Sequence, residues 1–236
     1  MDEFFYHILN RGVEKRKIFL DKKDYLRFVH NLSDFNNLNY AFSYYNRRNS
    51  AMRKPNLQRQ RKRQREEIVD VLCWTLMPNH HHILLRGKTE GGGSLFSKKL
   101  TSGYTQYFNR KNERVGVLFQ GRSKIILVER DTHFLHLPFY ILTNPLDLFQ
   151  SDWRERGVKN SKKAFEFLEN YQWSALLDLI GKENFPEVIN KNLFFELFDT
   201  NEKRFKKDFV EWLESYDGEV DFEDFDEKFI HNSAMR

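Results

Sequence analysis

The sequence predicts an α+β fold in which helices pack on an antiparallel sheet, followed by a helical C-terminal extension. Up to residue 150, β-prone runs and helical patterns occur in the order strand, helix, strand, strand, helix, strand, helix. Beyond residue 150 the pattern is purely helical. Sheets and helices with one apolar face bury those faces by packing in layers. We therefore expect a domain over residues 1–150 and a helical extension over residues 151–236.

The first strand and helix follow from local patterns near the start of the chain. Residues 4–9 (FFYHIL) are β-prone, and alternation along a strand places His7 and Leu9 on the same face. The turn signal NRG ends this strand. Asp21 then caps a helical pattern. The aromatic residues 40–45 predict either a second strand or an extension of that helix.

The central part of the chain predicts a hairpin, a helix, a strand and a second helix. Residues 69–76 and 81–85 are apolar and β-prone, and their close spacing predicts antiparallel neighbours. The triple glycine that follows predicts a flexible joint, and a serine can cap the next helix, residues 94–109. Residues 124–129 then predict a strand, and residues 131–144 predict another helix.

A strongly basic segment interrupts the predicted domain. Residues 47–65 carry nine Lys or Arg side chains and no acidic one. Because such a segment cannot bury itself, residues 47–66 predict a solvated, flexible insertion. It is either a merely solvated loop or an arm that tracks phosphates. Its candidate DNA contacts are Arg59, Arg61, Lys62, Arg63 and Arg65.

The charge distribution indicates a polyanionic partner. The net charge is +5, yet residues 211–236 form an acidic tail with nine acidic and two basic side chains, so the remaining chain is more basic still. A basic body favours nucleic acid, although a basic surface with no partner remains an alternative.

The sequence also bears on the compartment. The single cysteine, Cys73, cannot form an intramolecular disulfide. The first residues do not resemble a signal peptide, and prolines interrupt the longest apolar stretch, residues 134–149. We therefore expect a cytoplasmic protein with no membrane partner.

Three consecutive histidines begin a predicted strand. Alternation would place His80 and His82 on one face and His81 on the other. Two imidazoles on one face can share a metal ion, although a His-x-His pair alone more often reflects stacking or surface exposure.

A tyrosine and an asparagine share a predicted helix. Tyr140 and Asn144 are four residues apart, so they would project from roughly the same face. Pro138 and Pro145 make this shared face approximate, because proline disturbs the helix at and before its own position. Without other context, Tyr140 would be a packing residue.

Six short motifs follow one another along residues 4–180. They are YHILNRG at residues 6–12, LMPNHHHIL at 76–84, YTQYFN at 104–109, LFQGR at 118–122, YILTNP at 140–145 and YQWS at 171–174. In these motifs and their order the chain resembles the REP-associated tyrosine transposases, which belong to the single-tyrosine HUH transposases.

The resemblance implies a fold, a site and a reaction. The fold would be an HUH-type (ferredoxin-like) antiparallel sheet, and residues 1–150 would be its catalytic domain. His80 and His82 would be metal ligands, Asn144 the third ligand and Tyr140 the nucleophile. Such an enzyme cleaves and rejoins single-stranded or hairpin DNA by transesterification through a 5′-phosphotyrosine. The ion would be Mg²⁺ or Mn²⁺, and imidazole ligands suit Mn²⁺ well.

The expected partner is single-stranded or hairpin DNA, bound by a monomer or a homodimer in the nucleoid of a prokaryotic cell. Arg11, Arg122 and Lys124 join the basic segment as candidate DNA contacts. Some positions depart from the family pattern, among them Val117, Ser123 and the pair Leu142-Thr143. These departures motivate an alternative function, a non-catalytic, domesticated protein that binds DNA hairpins. A metal-dependent nuclease that hydrolyses DNA is a third hypothesis.

Overall fold

The computed structural model describes residues 4–38, 66–129 and 132–218. The aromatic run 40–45, the five basic residues from Arg59 to Arg65 and the acidic tail beyond residue 218 lie outside these ranges.

Four strands form one sheet. They are β1 (Phe4–Arg11), β2 (Val69–Met77), β3 (His80–Gly87) and β4 (Lys124–Val128). Their order in the sheet is β2-β3-β1-β4, and β1 is antiparallel to both β3 and β4. One helix, α1 (Lys22–Asp34), follows β1, and a second, α2 (Gly92–Lys111), follows β3. This βαββαβ order is ferredoxin-like, so the predicted α+β class with an antiparallel sheet is confirmed.

The first strand is longer than the sequence pattern predicts. It continues through the predicted turn as far as Arg11, because Asn10 and Arg11 pair with His81 and His80 of β3. Cross-strand pairing therefore overrides the local turn signal.

Asp21 caps α1 as predicted, since its side chain accepts hydrogen bonds from the backbone N–H groups of Lys23 and Asp24 at 2.9 and 3.1 Å.

The two helices of this part pack closely against each other. A Cβ atom on Gly103 of α2 would collide with the Phe35 ring, so glycine is needed where the helices meet.

The triple glycine is not a flexible joint, and Ser94 is not the cap of α2. The helix begins at Gly92, after Gly91 with φ of 71°. A Cβ atom on Gly93 would lie 2.9 Å from Cδ2 of Tyr6 in β1. Glycine therefore allows the start of α2 to approach β1, a requirement that the local sequence does not reveal.

The remaining helices follow the sheet in the chain. They are α3 (Thr132–Thr143), α4 (Trp153–Arg156), α5 (Ser161–Glu169), α6 (Leu176–Leu179), α7 (Lys191–Leu197) and α8 (Glu202–Ser215). Aromatic rings form the core among them. Phe139 of α3 stacks on Phe209 and Trp212 of α8, and Phe194 of α7 contacts Phe205 edge-on at 5.3 Å. The predicted helical C-terminal extension is thus confirmed.

The chain divides into two compact units. The first holds α1, α2 and the sheet apart from Cys73–Thr75, and it includes Glu187–Asn190. The second holds Cys73–Thr75 and α3 to α8. These units are defined by packing, so a catalytic domain over residues 1–150 remains a prediction. Within the described ranges, no helix has the length and apolar character needed to cross a membrane.

Candidate active site

One face of the sheet carries several of the predicted site residues. In the pairing of β1 with β3, Arg11 lies opposite His80 and Leu9 lies opposite His82. In the pairing of β1 with β4, Leu9 lies opposite Lys124. Directly opposed residues project from the same face of a sheet. The two predicted metal ligands therefore share a face with two of the predicted DNA contacts.

His81 belongs to the other face, as the predicted alternation requires. Its ring is fully buried and packs against Phe28 of α1 at 4.9 Å and against Phe119 at 5.8 Å. Neither ring nitrogen has a hydrogen-bond partner in the part of the chain that the structure describes. Burial lowers the pKa of His81 to about 3, with smaller contributions from the charges of His80 and His7. His81 is therefore a neutral core residue.

A hydrogen bond connects His82 to a second histidine on the same face. The distance from His7 Nε2 to His82 Nδ1 is 3.0 Å, and both rings are buried. A neutral imidazole has one N–H and one lone pair, so one of the two rings donates. When His82 donates through Nδ1, its lone pair is on Nε2 and can bind a metal ion. This is how metal-binding histidines are commonly oriented.

Asn79 orients His80 in a similar way. Its Nδ2 donates to the carbonyl of Lys15 at 3.3 Å, so its Oδ1 faces His80. His80 Nδ1 lies 2.6 Å from that oxygen and must be the donor. The lone pair of neutral His80 is therefore on Nε2. A backbone carbonyl thus decides which His80 nitrogen can act as a ligand.

The histidine pair fits a metal ion that takes its other ligands from elsewhere. The ring centroids of His80 and His82 are 5.1 Å apart, and both side chains are buried. Among the described residues, no group of three or more His, Cys, Asp or Glu side chains is arranged to hold a metal ion. The pair is thus a partial set of nitrogen donors, which an amide, water or phosphate oxygen would complete. Nitrogen donors suit Mn²⁺ better than Mg²⁺.

The second unit contains the predicted nucleophile. Tyr140 lies on α3 and has no exposed surface. The guanidinium carbon of Arg154, on α4, lies 5.3 Å from the centre of the Tyr140 ring, which is a cation–π distance. Arg154 also forms an ion pair with Asp147 at 3.1 Å. The tyrosine is therefore accompanied by a positive charge that the sequence motifs did not indicate.

Asn144 has partners at both ends of its amide. Its Nδ2 donates to the carbonyl of Tyr140 at 2.8 Å, and its Oδ1 accepts from Nη2 of Arg154 at 3.0 Å. The last carbonyls of a helix lack backbone partners, so the Nδ2 contact caps the end of α3. Asn144 Oδ1, which the sequence predicts to be a metal ligand, accepts a hydrogen bond from the Arg154 guanidinium in this structure.

The other predicted DNA contacts are distributed differently. Arg122 is exposed on the segment before β4. That segment is attached to β1, because Asn10 Nδ2 donates to the carbonyl of Gly121 at 3.2 Å and to Ser123 Oγ at 3.1 Å. Arg59, Arg61, Lys62, Arg63 and Arg65 lie outside the described residues.

No protein-family model matches the chain, and no curated protein matches it. Among solved structures, the chain is similar to one described as a REP-associated tyrosine transposase bound to a REP hairpin, with 11% sequence identity and a TM-score of 0.45. The match covers 78% of this chain and 82% of that one. The chain is structurally similar to that transposase. The likeness gives no roles to individual residues, which depend on the geometry described above.

Three residues that contact the candidate site were not predicted from the sequence. His7, Asn79 and Arg154 contact the predicted ligands or the predicted nucleophile. His7 and Asn79 lie inside two of the quoted motifs, and that position was the one available signal for them. Arg154 lies outside every motif, and nothing in the local sequence singles it out.

Proposed function

We propose that the chain is a metal-dependent, single-tyrosine HUH enzyme that cleaves and rejoins single-stranded or hairpin DNA. Tyr140 would be the nucleophile, His80 and His82 the metal ligands, and Asn144 a further ligand. The proposed partner is DNA, bound by a monomer or a homodimer in the prokaryotic nucleoid.

One observation carries the proposal: the orientation of His80 and His82. Both rings lie on one face of the sheet, and both use Nδ1 for a hydrogen bond. A core histidine needs no particular tautomer, as His81 illustrates. His80 keeps its lone pair on Nε2, and His82 does the same when its Nδ1 donates to His7, so the pair can offer two nitrogen ligands to one metal ion. Arg11 and Lys124 on the same face supply positive charge for a phosphate.

The reaction would be a transesterification at phosphorus. The Tyr140 phenol would give its proton to solvent water, and its oxygen would form a bond to a DNA phosphorus. The bond from phosphorus to the 3′-oxygen would break, and this oxygen would take a proton from water and leave as a free 3′-hydroxyl. A bound divalent ion would polarise the phosphate and compensate for the high pKa of an ordinary phenol. The phosphotyrosine keeps the phosphodiester linkage, so rejoining needs no nucleotide cofactor.

Tyr140 must be uncovered before it can react. Its ring has no exposed surface, and Arg154 lies over it. The reaction therefore includes a step in which contacts around Tyr140 open and the phenol oxygen reaches DNA. Arg154 could then move from Asn144 to a phosphate oxygen, which a guanidinium binds well.

A second candidate function is favoured by the same contacts. The buried Tyr140 and the engaged Asn144 Oδ1 also describe a structural core, in which the tyrosine packs and the asparagine caps α3. The chain would then be a non-catalytic protein that binds DNA hairpins through its basic face.

A covalent protein–DNA adduct separates these functions. Hairpin DNA with single-stranded flanks, labelled at its 3′ end, is incubated with protein and Mn²⁺, and the products are separated under denaturing conditions. The proposed enzyme gives a slow, protease-sensitive labelled species that His82→Ala loses. His30→Ala, at an exposed histidine of α1, is the control and retains the species. DNA binding without an adduct supports the second candidate, and cleavage without an adduct indicates a hydrolytic nuclease.

A further inference from the structure

The turn after β1 has an unusual backbone. Glu14 and Lys15 are consecutive non-glycine residues with φ of 56° and 58°, a conformation that L-residues avoid. The turn is also tight, since a Cβ atom on Gly12 would lie 2.3 Å from the carbonyl oxygen of Arg16. This strained backbone leaves Lys15, Arg16 and Lys17 exposed. Strain of this kind persists where neighbouring structure holds it, and it often marks a functional segment.

The loop between α2 and β4 exposes two apolar side chains. Val115 is 92% exposed and Val117 is 68% exposed, on either side of Gly116. Side chains hold this loop in place. Asn109 Nδ2 donates to the carbonyl of Gly116 at 2.8 Å, and Arg114 donates to Asn109 Oδ1 at 2.7 Å and to the carbonyl of Val117 at 3.2 Å. The valines are therefore presented by a braced loop.

The turn and the loop are neighbours. Gly12 forms a β-bridge with Phe119, and the backbone N–H of Val13 donates to the carbonyl of Leu118 at 2.9 Å. These contacts form one isolated antiparallel bridge. Residues 14–17 and residues 115–117 leave it at the same end, because one segment follows the bridge and the other precedes it.

The turn is also connected to the proposed metal ligands. The backbone N–H of Gly12 donates to the carbonyl of Asn79 at 2.8 Å, and Asn79 Nδ2 donates to the carbonyl of Lys15. The same Asn79 accepts the hydrogen bond from His80. A ligand held by the turn would therefore lie at the end of the sheet where β3 begins with His80.

We propose that residues 14–17 and 115–117 form a strand-contact surface for DNA with an unpaired base beside the scissile strand. The cations of the turn would bind phosphates, and the two valines would contact the face of an unstacked base. This inference rests on the proposed function insofar as DNA is the ligand. The charge favours DNA, because Glu14 is the one acidic residue of the turn and lies 3.6 Å from Arg16, which leaves Lys15 and Lys17 to bind phosphates.

The charged half of the surface is tested by salt dependence. Lys15→Gln/Lys17→Gln should weaken binding of a hairpin with one unpaired adenine. The plot of log affinity against log salt concentration should become shallower by about 1.4, because each lost phosphate contact of a single strand accounts for about 0.7 of the slope. The control Lys162→Gln/Lys163→Gln, at exposed lysines of α5, should keep the wild-type slope. A wild-type slope in the Lys15 and Lys17 variant overturns this half of the proposal.

The apolar half is tested with 2-aminopurine in place of the unpaired base. Wild-type protein at saturation should change the fluorescence of this base. Val115→Ser/Val117→Ser should abolish the change while keeping the salt slope. Leu127→Ser, at a residue of β4 that is 57% exposed, should behave as wild type. An unchanged signal in the valine variant overturns the base contact, and tight binding of a protein instead of DNA overturns the whole proposal.

The adduct assay on the same DNA separates this inference from the proposed function. The predicted variant effects without any wild-type adduct support the surface and contradict the enzyme. A wild-type adduct together with unaltered binding by both variants supports the enzyme and contradicts the surface. Absence of DNA binding contradicts both.

Discussion

Arg154 donates a hydrogen bond from Nη2 to Asn144 Oδ1 at 3.0 Å, so the oxygen predicted to bind a metal ion faces a guanidinium. The same guanidinium lies over the ring of Tyr140. Arg154 lies outside all six motifs. It nevertheless contacts Tyr140 and Asn144, the two residues of the YILTNP motif that have a proposed role. Its charge would stabilise the negative charge that develops during attack on a phosphate.

Arg154→Ala should therefore reduce the yield of the covalent DNA adduct by about 10-fold or more, the usual effect of losing a group that orients reacting residues. Arg154→Lys should restore part of the yield, because it keeps the charge and loses the planar fork. Arg156→Ala, at an exposed position of the same helix, is the control. An increased yield in Arg154→Ala would show that Arg154 inhibits the site by holding Asn144.

Metal binding should depend on the residues that orient the ligands. His7→Ala and Asn79→Ala each remove the hydrogen-bond partner of Nδ1 in a proposed ligand, so we expect Mn²⁺ affinity to fall by about 10- to 100-fold. His82→Ala should abolish binding, and His81→Leu should leave it intact because that ring points to the opposite face. Calorimetric titration with Mn²⁺ measures all four variants in the absence of DNA. Equal loss in His81→Leu would contradict the assignment of the two faces.

Acid should destabilise the protein through His81. Its pKa is about 3 in the folded chain, against an ordinary value of 6.5. Between these values the unfolded chain binds a proton that the folded chain excludes, so the free energy of unfolding falls as pH falls below 6.5. The contribution is fully present above 6.5 and reaches at most about 1.4 kcal/mol per pH unit below it. Urea denaturation of wild type and His81→Leu from pH 7 to pH 4.5 should show a shallower pH dependence in the variant. Parallel curves would mean that His81 is not buried in its neutral form.

The basic insertion should add affinity without sequence choice, because contacts to phosphates carry little base information. Replacement of Arg59, Arg61, Lys62, Arg63 and Arg65 by Gln should weaken binding to unrelated single strands to a similar degree. It should also flatten the salt dependence. Fluorescence anisotropy at several salt concentrations measures both effects, and an unchanged salt slope would show that the insertion does not contact DNA.

The element order and the two faces of the histidine run were predictable from the sequence. Alternation along a strand has a period of two, so the opposite direction of His81 follows once β3 is assigned. The cap of α1 was predictable for a similar reason, since Asp21 bonds to N–H groups two and three residues later.

Contacts between distant positions could not be predicted in this way. His7 and His82 are 75 positions apart, and the close approach of Gly93 to Tyr6 depends on how α2 crosses β1. The pairing of Tyr140 with Asn144 was expected from helical spacing. The structure shows instead that the asparagine side chain turns back to cap the helix, because α3 ends before Pro145.

Other tyrosines provide controls for the proposed nucleophile. Tyr104 is buried and donates to the carbonyl of Ile18 at 2.6 Å, and burial raises its pKa. Tyr107 donates to Asp24 at 3.0 Å, and burial together with the charge of that carboxylate raises its pKa to about 12. Both phenols are used in packing and are poorly suited to ionise. Tyr107→Phe should therefore leave adduct formation unchanged.

The most direct test is adduct formation by Tyr140→Phe. The substitution removes one hydroxyl and keeps the ring. The free energy of unfolding should therefore change by about 1 kcal/mol or less, and DNA affinity should stay close to wild type. Labelled hairpin DNA is incubated with Mn²⁺ and wild type, Tyr140→Phe or Tyr107→Phe, and the products are separated by denaturing electrophoresis before and after protease treatment. Wild type and Tyr107→Phe should form a protease-sensitive adduct, and Tyr140→Phe should form none. An adduct that persists in Tyr140→Phe would contradict the assignment of the nucleophile.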